Sequence, residues 1–296
     1  MKMVLFTVAG VAIVTPFNDD LTINYDKLGE LIDFQIENGT DAIVICGTTG
    51  EGSTLTHAEH TEAIRYTVER TAGRIPVIAG TGSNDTAYAV ELSNEAEKAG
   101  VDGLLMVTPY YNKTSQEGLI KSFEFINSNV STPIILYNVP SRTGMTILPE
   151  TYVELAKLSN VVATKEASGD LSTIAKIMHL CGDELAVYSG NDDEITAITA
   201  LGGKGVISVL SNVAPKLAHD IAMAGVNGDV KKSAALQIDN LDLCNDLFMD
   251  VNPIPVKEAL NMMGWNVGEC RLPLYRMSDA KRAKLRATLE RHGLIK

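Results

Sequence analysis

The segment Val161-Val162-Ala163-Thr164-Lys165-Glu166-Ala167-Ser168-Gly169-Asp170 passes from an apolar, β-branched run directly into a polar turn. A run without polar alternation predicts a strand that is buried on both faces, as in parallel sheets. Lys165 stands at the end of this strand, where loss of hydration favours the neutral amine. A neutral amine can form a Schiff base with a carbonyl substrate. The alternative is a structural lysine that pairs with the adjacent Glu166.

The same succession of a short apolar strand, a turn and an amphipathic helix runs through most of the chain. Eight units of this kind, each long enough for a helical crossover, favour parallel pairing with right-handed connections. A closed (β/α)8 (TIM) barrel accounts for eight units best, and a doubly wound open sheet is the alternative. The predicted strands are Val11 to Thr15, Asp41 to Cys46, Ile75 to Ala79, Leu104 to Thr108, Ile134 to Tyr137, Val161 to Lys165, Leu185 to Tyr188, and Val206 to Val209.

The strand pattern stops near residue 225 and helical patterns continue to the end of the chain. The predicted helices are Ala234 to Met249, Pro255 to Met263, and Asp279 to Arg291, the last with Ser278 as its N-cap. We therefore predict a catalytic barrel over residues 1–225 and a C-terminal helical appendage over residues 226–296, packed on the barrel.

Charge and cysteine content narrow the class of protein. A net charge of −12 over 296 residues argues against nucleic acid and anionic membrane surfaces as partners. The 4 cysteines form no C-x-x-C pair, which predicts reduced thiols and a cytoplasmic location. The apolar run Met3 to Val14 leads straight into patterned sequence, so we interpret it as the first strand and not as a signal peptide.

Polar residues follow the second predicted strand in Gly47-Thr48-Thr49-Gly50-Glu51-Gly52. Glycines allow close approach of the backbone to a ligand, and backbone N–H groups together with two hydroxyls can hold a carboxylate. An ordinary glycine-rich turn is the alternative. The spacing does not match a P-loop, so nucleotide binding is not indicated.

Further polar residues follow the fourth, fifth and seventh strands. Tyr110-Tyr111 and Tyr137 supply phenols that can donate and accept protons, although buried tyrosines are commonly structural. Arg142 can bind a carboxylate in a bidentate manner or form a surface ion pair. Asp192-Asp193 lacks neighbouring histidines, and no metal site is predicted there. In a barrel all of these positions share the carboxyl ends of the strands, which favours the Schiff-base interpretation of Lys165.

Taken together, these motifs resemble the dihydrodipicolinate synthase family, over a stretch from Gly10 to near the C-terminus. The resemblance implies a (β/α)8 barrel with a C-terminal helical region. It implies condensation of pyruvate with L-aspartate 4-semialdehyde, in diaminopimelate and lysine biosynthesis, without a metal or organic cofactor. It further implies a cytoplasmic homotetramer built as a dimer of dimers.

Four catalytic residues are implied by the resemblance. Lys165 would form the Schiff base with pyruvate, and Tyr137 would transfer protons. Thr48 and Tyr111 would complete a proton relay, with the tyrosine reaching in from the neighbouring subunit. The resemblance, and not the local sequence, favours Tyr111 over Tyr110 for this role.

Four substrate-binding residues are implied in the same way. Thr49 would bind the pyruvate carboxylate, and Arg142 would bind the carboxylate of the semialdehyde. Gly190 and Ile207 would line the pocket around the lysine. Alternatives on the same scaffold are N-acetylneuraminate lyase, a 2-keto-3-deoxy-sugar-acid aldolase, and a non-catalytic pyruvate-binding homologue.

Lysine-inhibited members of the family have an allosteric site at a subunit contact. Its matching positions in this chain are His57, His60, Asn84 and Tyr110. The acid commonly found at the position of Tyr88 is absent, and Gly52 replaces the usual serine or alanine. Without that acid, the ammonium of the effector loses a partner, so we expect no feedback inhibition by lysine.

Overall fold

A computed structural model of the protein describes residues 2–296. Its centre is a closed barrel of eight parallel strands in the order of the chain. The barrel closes because β1 pairs with β8 as well as with β2, with Gly10 opposite Ile207. The strands are β1 Val8–Ala12, β2 Ala42–Ile45, β3 Val77–Gly80, β4 Gly103–Val107, β5 Ile134–Asn138, β6 Val161–Glu166, β7 Ala186–Ser189 and β8 Gly205–Ser208. The predicted (β/α)8 class is confirmed, and the doubly wound alternative is wrong.

Helices surround the barrel and continue beyond it. They are α1 Tyr25–Glu37, α2 His57–Thr71, α3 Thr86–Ala99, α4 Gln116–Asn129, α5 Pro140–Thr143, α6 Pro149–Leu155, α7 Leu171–Cys181, α8 Ile195–Ala200, α9 Pro215–Val226, α10 Val230–Asp239, α11 Leu241–Asp246, α12 Ile254–Met262 and α13 Asp279–Arg291. The expected boundary near residue 225 falls at the end of α9. Between residues 2 and 296, no helix is long and apolar enough to cross a membrane.

Local sequence sets where several helices begin. Thr56 and Glu59 form a reciprocal capping box at the start of α2, and Asp85 accepts two backbone N–H groups at the start of α3. Gly100 ends α3 in the left-handed conformation, at φ 89°. Thr56 and Asp85 thus fix where the loops after β2 and β3 end and the following helices begin.

Apolar side chains fill two layers. The larger layer lies between the strands and the surrounding helices. The smaller fills the inside of the barrel and includes Phe6, Leu105, Tyr137, Tyr188 and Ile207. Phe6 stacks on Tyr188, with ring centroids 4.5 Å apart, and the Tyr188 hydroxyl donates to the Phe6 carbonyl. The interior is therefore a packed core below the site, as in other barrels of this type.

Two predicted elements differ from their observed bounds by three residues or more. The first strand begins three residues earlier than predicted. Ala9 and Gly10 belong to the strand although neither has a β-branched side chain, and the prediction relied on such side chains. The predicted helix Ala234 to Met249 is two helices. Asn240 separates them because its side chain donates to the Leu236 carbonyl at 2.8 Å, and its backbone has left the helical region.

Candidate active site

Lys165 lies at the carboxyl end of β6 and faces the inside of the barrel. Side chains alternate along a strand, and Ala163, two residues earlier, belongs to the interior layer. Lys165 is only 5% exposed. Its Nζ lies 4.4 Å from the centroid of the Tyr137 ring, and the two residues are direct partners between β5 and β6. The strand order thus brings the predicted nucleophile and the predicted proton-transfer group into contact.

Glu166, the next residue along β6, faces the opposite side of the sheet. Asn138 Nδ2 donates to its two carboxylate oxygens at 3.0 and 3.2 Å, and Ser168 Oγ donates at 2.9 Å. The Tyr152 hydroxyl donates to it as well. Burial raises the pKa of Glu166, which these hydrogen bonds only partly offset. The carboxylate is held by neutral donors, so the alternative of a Lys165–Glu166 ion pair is wrong.

The loop after β2 forms a closed turn over the barrel mouth. The Gly52 N–H donates to the Gly47 carbonyl at 3.2 Å, and Thr15 Oγ1 donates to the Gly50 carbonyl at 2.6 Å. A Cβ on Gly52 would lie 2.3 Å from the Cys46 carbonyl oxygen, so the turn in this form requires glycine there. Thr48 is half-buried on this turn.

Thr49 on the same turn is 2% exposed, and its hydroxyl accepts a hydrogen bond from Asn252 Nδ2 at 3.0 Å. The backbone carbonyl of Asn252 accepts a second hydrogen bond, from Arg142 Nη2 at 3.1 Å. Both predicted carboxylate-binding residues therefore contact one residue of the C-terminal region.

A cavity of about 320 Å³ opens at this end of the barrel. Residues from the predicted catalytic, substrate-binding and allosteric sets line it together: Thr48, Tyr137, Arg142, His60, Tyr88 and Tyr110. Lys165 lies against Tyr137, one of the lining residues. The cavity thus reaches the lysine only through Tyr137, and neither Lys165 nor Thr49 is among its lining residues.

Gly190 and Ile207 come from the strands on the other side of Lys165. The Gly190 N–H donates to the Glu166 carbonyl at 2.6 Å, and a Cβ on Gly190 would lie 2.7 Å from that of Ala167. Ile207 is fully buried in the interior layer. Glycine at position 190 thus allows the end of β7 to lie close to the backbone of Glu166 and Ala167, the two residues that follow the lysine.

Tyr111 is a predicted catalytic residue that the chain does not bring to Lys165. Its side chain is 92% exposed, and its φ of 68° is in the left-handed region. A ring with so little contact does not reach a lysine that is 5% exposed in the same chain. Tyr110, which precedes it, lines the cavity instead.

Three of the five predicted allosteric residues, His60, Tyr88 and Tyr110, line the cavity, and His57 contacts Tyr88. The Tyr88 hydroxyl is 3.4 Å from His57 Nδ1. His60 Nε2 donates to the Gly80 carbonyl at 2.8 Å, and burial lowers the pKa of His60, so this imidazole stays neutral at pH 7. The Asn84 carbonyl accepts from Asn112 Nδ2 at 2.9 Å.

Asp192 has a role that the sequence did not indicate. Its carboxylate accepts from Ser208 Oγ at 2.6 Å and from the N–H groups of Val209 and Leu210 at 3.1 and 2.9 Å. Burial raises the pKa of Asp192, and the hydrogen bonds from Ser208, Leu210 and Val209 oppose this shift. The carboxylate joins the end of β7 to the end of β8, next to the lysine.

A buried ion pair joins the turn after β2 to the C-terminal region. Lys257 Nζ contacts Glu51 Oε1 at 2.9 Å and the Glu269 carbonyl at 2.9 Å. The other Glu51 oxygen accepts from the Arg271 N–H at 2.9 Å. Burial lowers the pKa of Lys257, and the charge of Glu51 opposes this shift. Sequence inspection missed Asn252 and Lys257, since no local pattern connects them to a turn some 200 residues earlier.

A closed barrel with ionisable and polar side chains gathered at the carboxyl ends of its strands defines the class as a (β/α)8-barrel enzyme. Residues 6–292 match the model of the dihydrodipicolinate synthetase family, and the chain belongs to this family. The expected family is therefore confirmed.

Known proteins resemble the chain over its whole length. The 4-hydroxy-tetrahydrodipicolinate synthase of Thermoanaerobacter sp. (strain X514) is 54% identical over 295 residues, which cover 99% of each chain. The crystal structure of dihydrodipicolinate synthase from Aquifex aeolicus superposes with a TM-score of 0.96 at 44% identity, covering 98% of this chain and 99% of that one. The chloride-inhibited enzyme of Acinetobacter baumannii, solved in complex with pyruvate, gives a TM-score of 0.96 at 41% identity, covering 99% and 100%. These relatives confirm the expected enzyme class, a lyase, and do not favour the sugar-acid aldolase alternatives.

Proposed function

We propose that the protein condenses pyruvate with L-aspartate 4-semialdehyde to 4-hydroxy-tetrahydrodipicolinate, through a Schiff base on Lys165. The observation that carries the proposal is the position of the lysine: buried at the end of β6, with Nζ against the ring of Tyr137. The shared name of the full-length relatives supports the same reaction.

The first half of the reaction uses Lys165 and Tyr137. The neutral amine attacks the ketone carbon of pyruvate, and loss of water leaves an iminium ion. The iminium withdraws electrons, so the methyl group loses a proton and an enamine forms. Tyr137 is the group in contact with the lysine, and we assign to its phenol the transfer of protons during loss of water.

The second half joins the two substrates. The enamine carbon attacks the aldehyde carbon of the semialdehyde, which forms the new carbon–carbon bond. The amino group of that substrate then attacks the iminium carbon, closes the ring and displaces the lysine. We assign the semialdehyde carboxylate to Arg142, which lines the cavity, and the pyruvate carboxylate to Thr49, on the turn after β2. Gly190 and Ile207 would bound the space around the lysine.

Completion of the proton relay requires a second subunit in this proposal. Thr48 lines the cavity, whereas Tyr111 of the same chain is turned to the outside. An exposed aromatic ring next to the site is suited to enter the site of a neighbouring copy. We therefore propose a homo-oligomer, a tetramer built as a dimer of dimers, that works in the cytoplasm.

Borohydride trapping tests the proposed function. The protein is incubated with pyruvate and sodium borohydride and then digested, and the masses of its peptides are measured by mass spectrometry. The peptide containing Lys165 should carry a reduced pyruvyl group, and the peptide containing the buried Lys257 should not. A Lys165→Met variant, which cannot form the adduct, is the control. Modification only at other lysines would overturn the mechanism, and cleavage of sialic acid in place of semialdehyde condensation would overturn the choice of substrates.

A further inference from the structure

Asn252, in the C-terminal region, contacts both predicted carboxylate-binding residues, Thr49 and Arg142. It is 6% exposed and directly precedes Pro253, the residue before α12. Its side chain contacts the turn after β2, and its backbone contacts the loop after β5. No other residue between 2 and 296 hydrogen-bonds to the Thr49 hydroxyl.

The direction of the Asn252–Thr49 hydrogen bond leaves the Thr49 hydroxyl free to donate its proton to a ligand. A hydroxyl has one proton to donate and lone pairs to accept with. Asn252 Nδ2 donates to the hydroxyl oxygen at 3.0 Å, so the proton of Thr49 is not used in this contact. A hydroxyl that accepts one hydrogen bond is polarised and becomes a stronger donor in the next one.

In the part of the chain that the structure describes, the Asn252 side chain has no hydrogen bond that competes with the contact to Thr49. Its Oδ1 is buried and has no hydrogen-bond partner in the described chain. Among residues 2–296, the contact with Thr49 is the only hydrogen bond of this side chain.

We propose that Asn252 is a positioning residue that makes Thr49 a hydrogen-bond donor to the carboxylate of the first substrate. The inference rests on the proposed function, because that function places the carboxylate of a 2-oxo acid at Thr49. The backbone carbonyl of Asn252 holds Arg142 Nη2 at 3.1 Å, so the same residue relates the two carboxylate-binding groups.

Substitution by aspartate reverses the hydrogen bond without changing the size of the side chain. A carboxylate at position 252 only accepts, so it would take the proton of Thr49 and leave none for the substrate. We expect Asn252→Asp to raise the pyruvate concentration for half-maximal borohydride inactivation roughly ten- to hundredfold. Asn252→Ala removes the donor but leaves the proton free, and it should raise that concentration only about threefold.

A double-mutant cycle with Thr49→Val separates this mechanism from direct repulsion between two carboxylates. Valine has no hydroxyl, so Asn252→Asp should have less than about a twofold further effect in the Thr49→Val background. An aspartate effect that persists in full in that background, or one equal to that of Asn252→Ala, would overturn the proposal. If Asn252→Asp does not fold, the cycle is run with Asn252→Ala, where additive effects would overturn it.

The readout distinguishes the two proposals. If wild-type protein is not trapped with pyruvate on Lys165, the proposed function fails. If pyruvate is trapped on Lys165 but the pyruvate concentration for half-maximal inactivation does not depend on residues 49 and 252, only the proposed role of Asn252 fails. Thermal unfolding of each variant, with and without pyruvate, checks that the binding effects do not come from a loss of fold.

Discussion

Nζ of Lys257 and Oε1 of Glu51 lie 2.9 Å apart, and neither side chain is more than 2% exposed. Lys257 Nζ also lies 4.2 Å from the centroid of the Phe17 ring, which covers the pair on one side. A charge so deep in the protein is tolerated only with its partner in place. The pair thus ties the turn that carries Thr48 and Thr49 to α12.

Removal of one partner of this pair should strongly destabilise the protein. Lys257→Met leaves Glu51 charged and buried, and we expect a loss of about 3–5 kcal/mol in the free energy of unfolding by urea. Lys216→Met is the matched control, because the Lys216–Asp220 pair is exposed and should contribute less than about 1 kcal/mol. Similar losses in the two variants would contradict a special role for the buried pair.

Exchange of subunits tests the proposed role of Tyr111. Lys165→Ala and Tyr111→Phe should each be nearly inactive alone. A mixed oligomer contains some sites with the intact lysine of one chain and the intact tyrosine of the other, so mixing after mild dissociation should restore activity. Lys165→Ala mixed with Tyr137→Phe is the control, since that pair belongs to one chain. Recovery in the control, or none with Tyr111→Phe, would rule out a shared site.

Lysine should leave the initial rate unchanged at millimolar concentration. The position at which inhibited relatives carry an acid holds Tyr88, whose hydroxyl lies 3.4 Å from His57 Nδ1 and provides no negative charge for an ammonium group. Burial raises the pKa of Tyr88, which keeps the phenol neutral at pH 7. Tyr88→Glu should introduce measurable inhibition, with Tyr88→Gln as the uncharged control. Strong inhibition of the wild-type protein would show the expectation to be wrong.

Glu59 gives a defined pH dependence of stability. Its hydrogen bond with the Arg271 guanidinium, at the N-terminal turn of α2, lowers the pKa of Glu59 from 4.5 to about 2. The folded protein therefore binds this proton less readily than the unfolded chain. The contribution to stability is complete above pH 4.5 and is lost as the pH falls through about 2.

Arg271→Met removes the cause of this shift. The dependence of the unfolding free energy on pH should become shallower in the variant between pH 4.5 and 2, relative to the wild-type protein. Lys216→Met serves again as the exposed control and should keep the wild-type slope. A variant curve parallel to that of the wild type over this interval would contradict the assignment to Arg271.

The barrel could be predicted because its signal is local and repeated. Each strand is a short apolar run, and each is followed by a turn and a helix, so errors at single elements did not change the topology. Asn240 shows the limit of this approach: one side chain that bonds back to Leu236 divides a helix whose apolar pattern continues without a break. The family resemblance supplied roles for Lys165 and Tyr137, and strand order explains why these two residues meet.

The contacts that support the site could not be predicted, because they join distant parts of the chain. Asn252 and Lys257 lie in a stretch with no recognisable motif. Their partners Thr49 and Glu51 lie in a glycine-rich turn whose sequence gives no sign of a contact with the C-terminal region. Asp192 was considered only as a metal ligand, and its backbone partners cannot be identified from residue types. Burial and long-range pairing decide these roles, and neither is a property of a short sequence window.

The attachment of the turn after β2 to residues 252, 257 and 271 has a consequence for synthesis on the ribosome. The partners are separated by 203, 206 and 220 positions, so the turn has been made long before the residues that hold it exist. Contacts of such separation form late, after the intervening chain has been ordered. A nascent chain that has all eight strands outside the exit tunnel therefore still lacks an ordered turn after β2, and we expect it to bind substrate only after residues 252 to 271 have emerged.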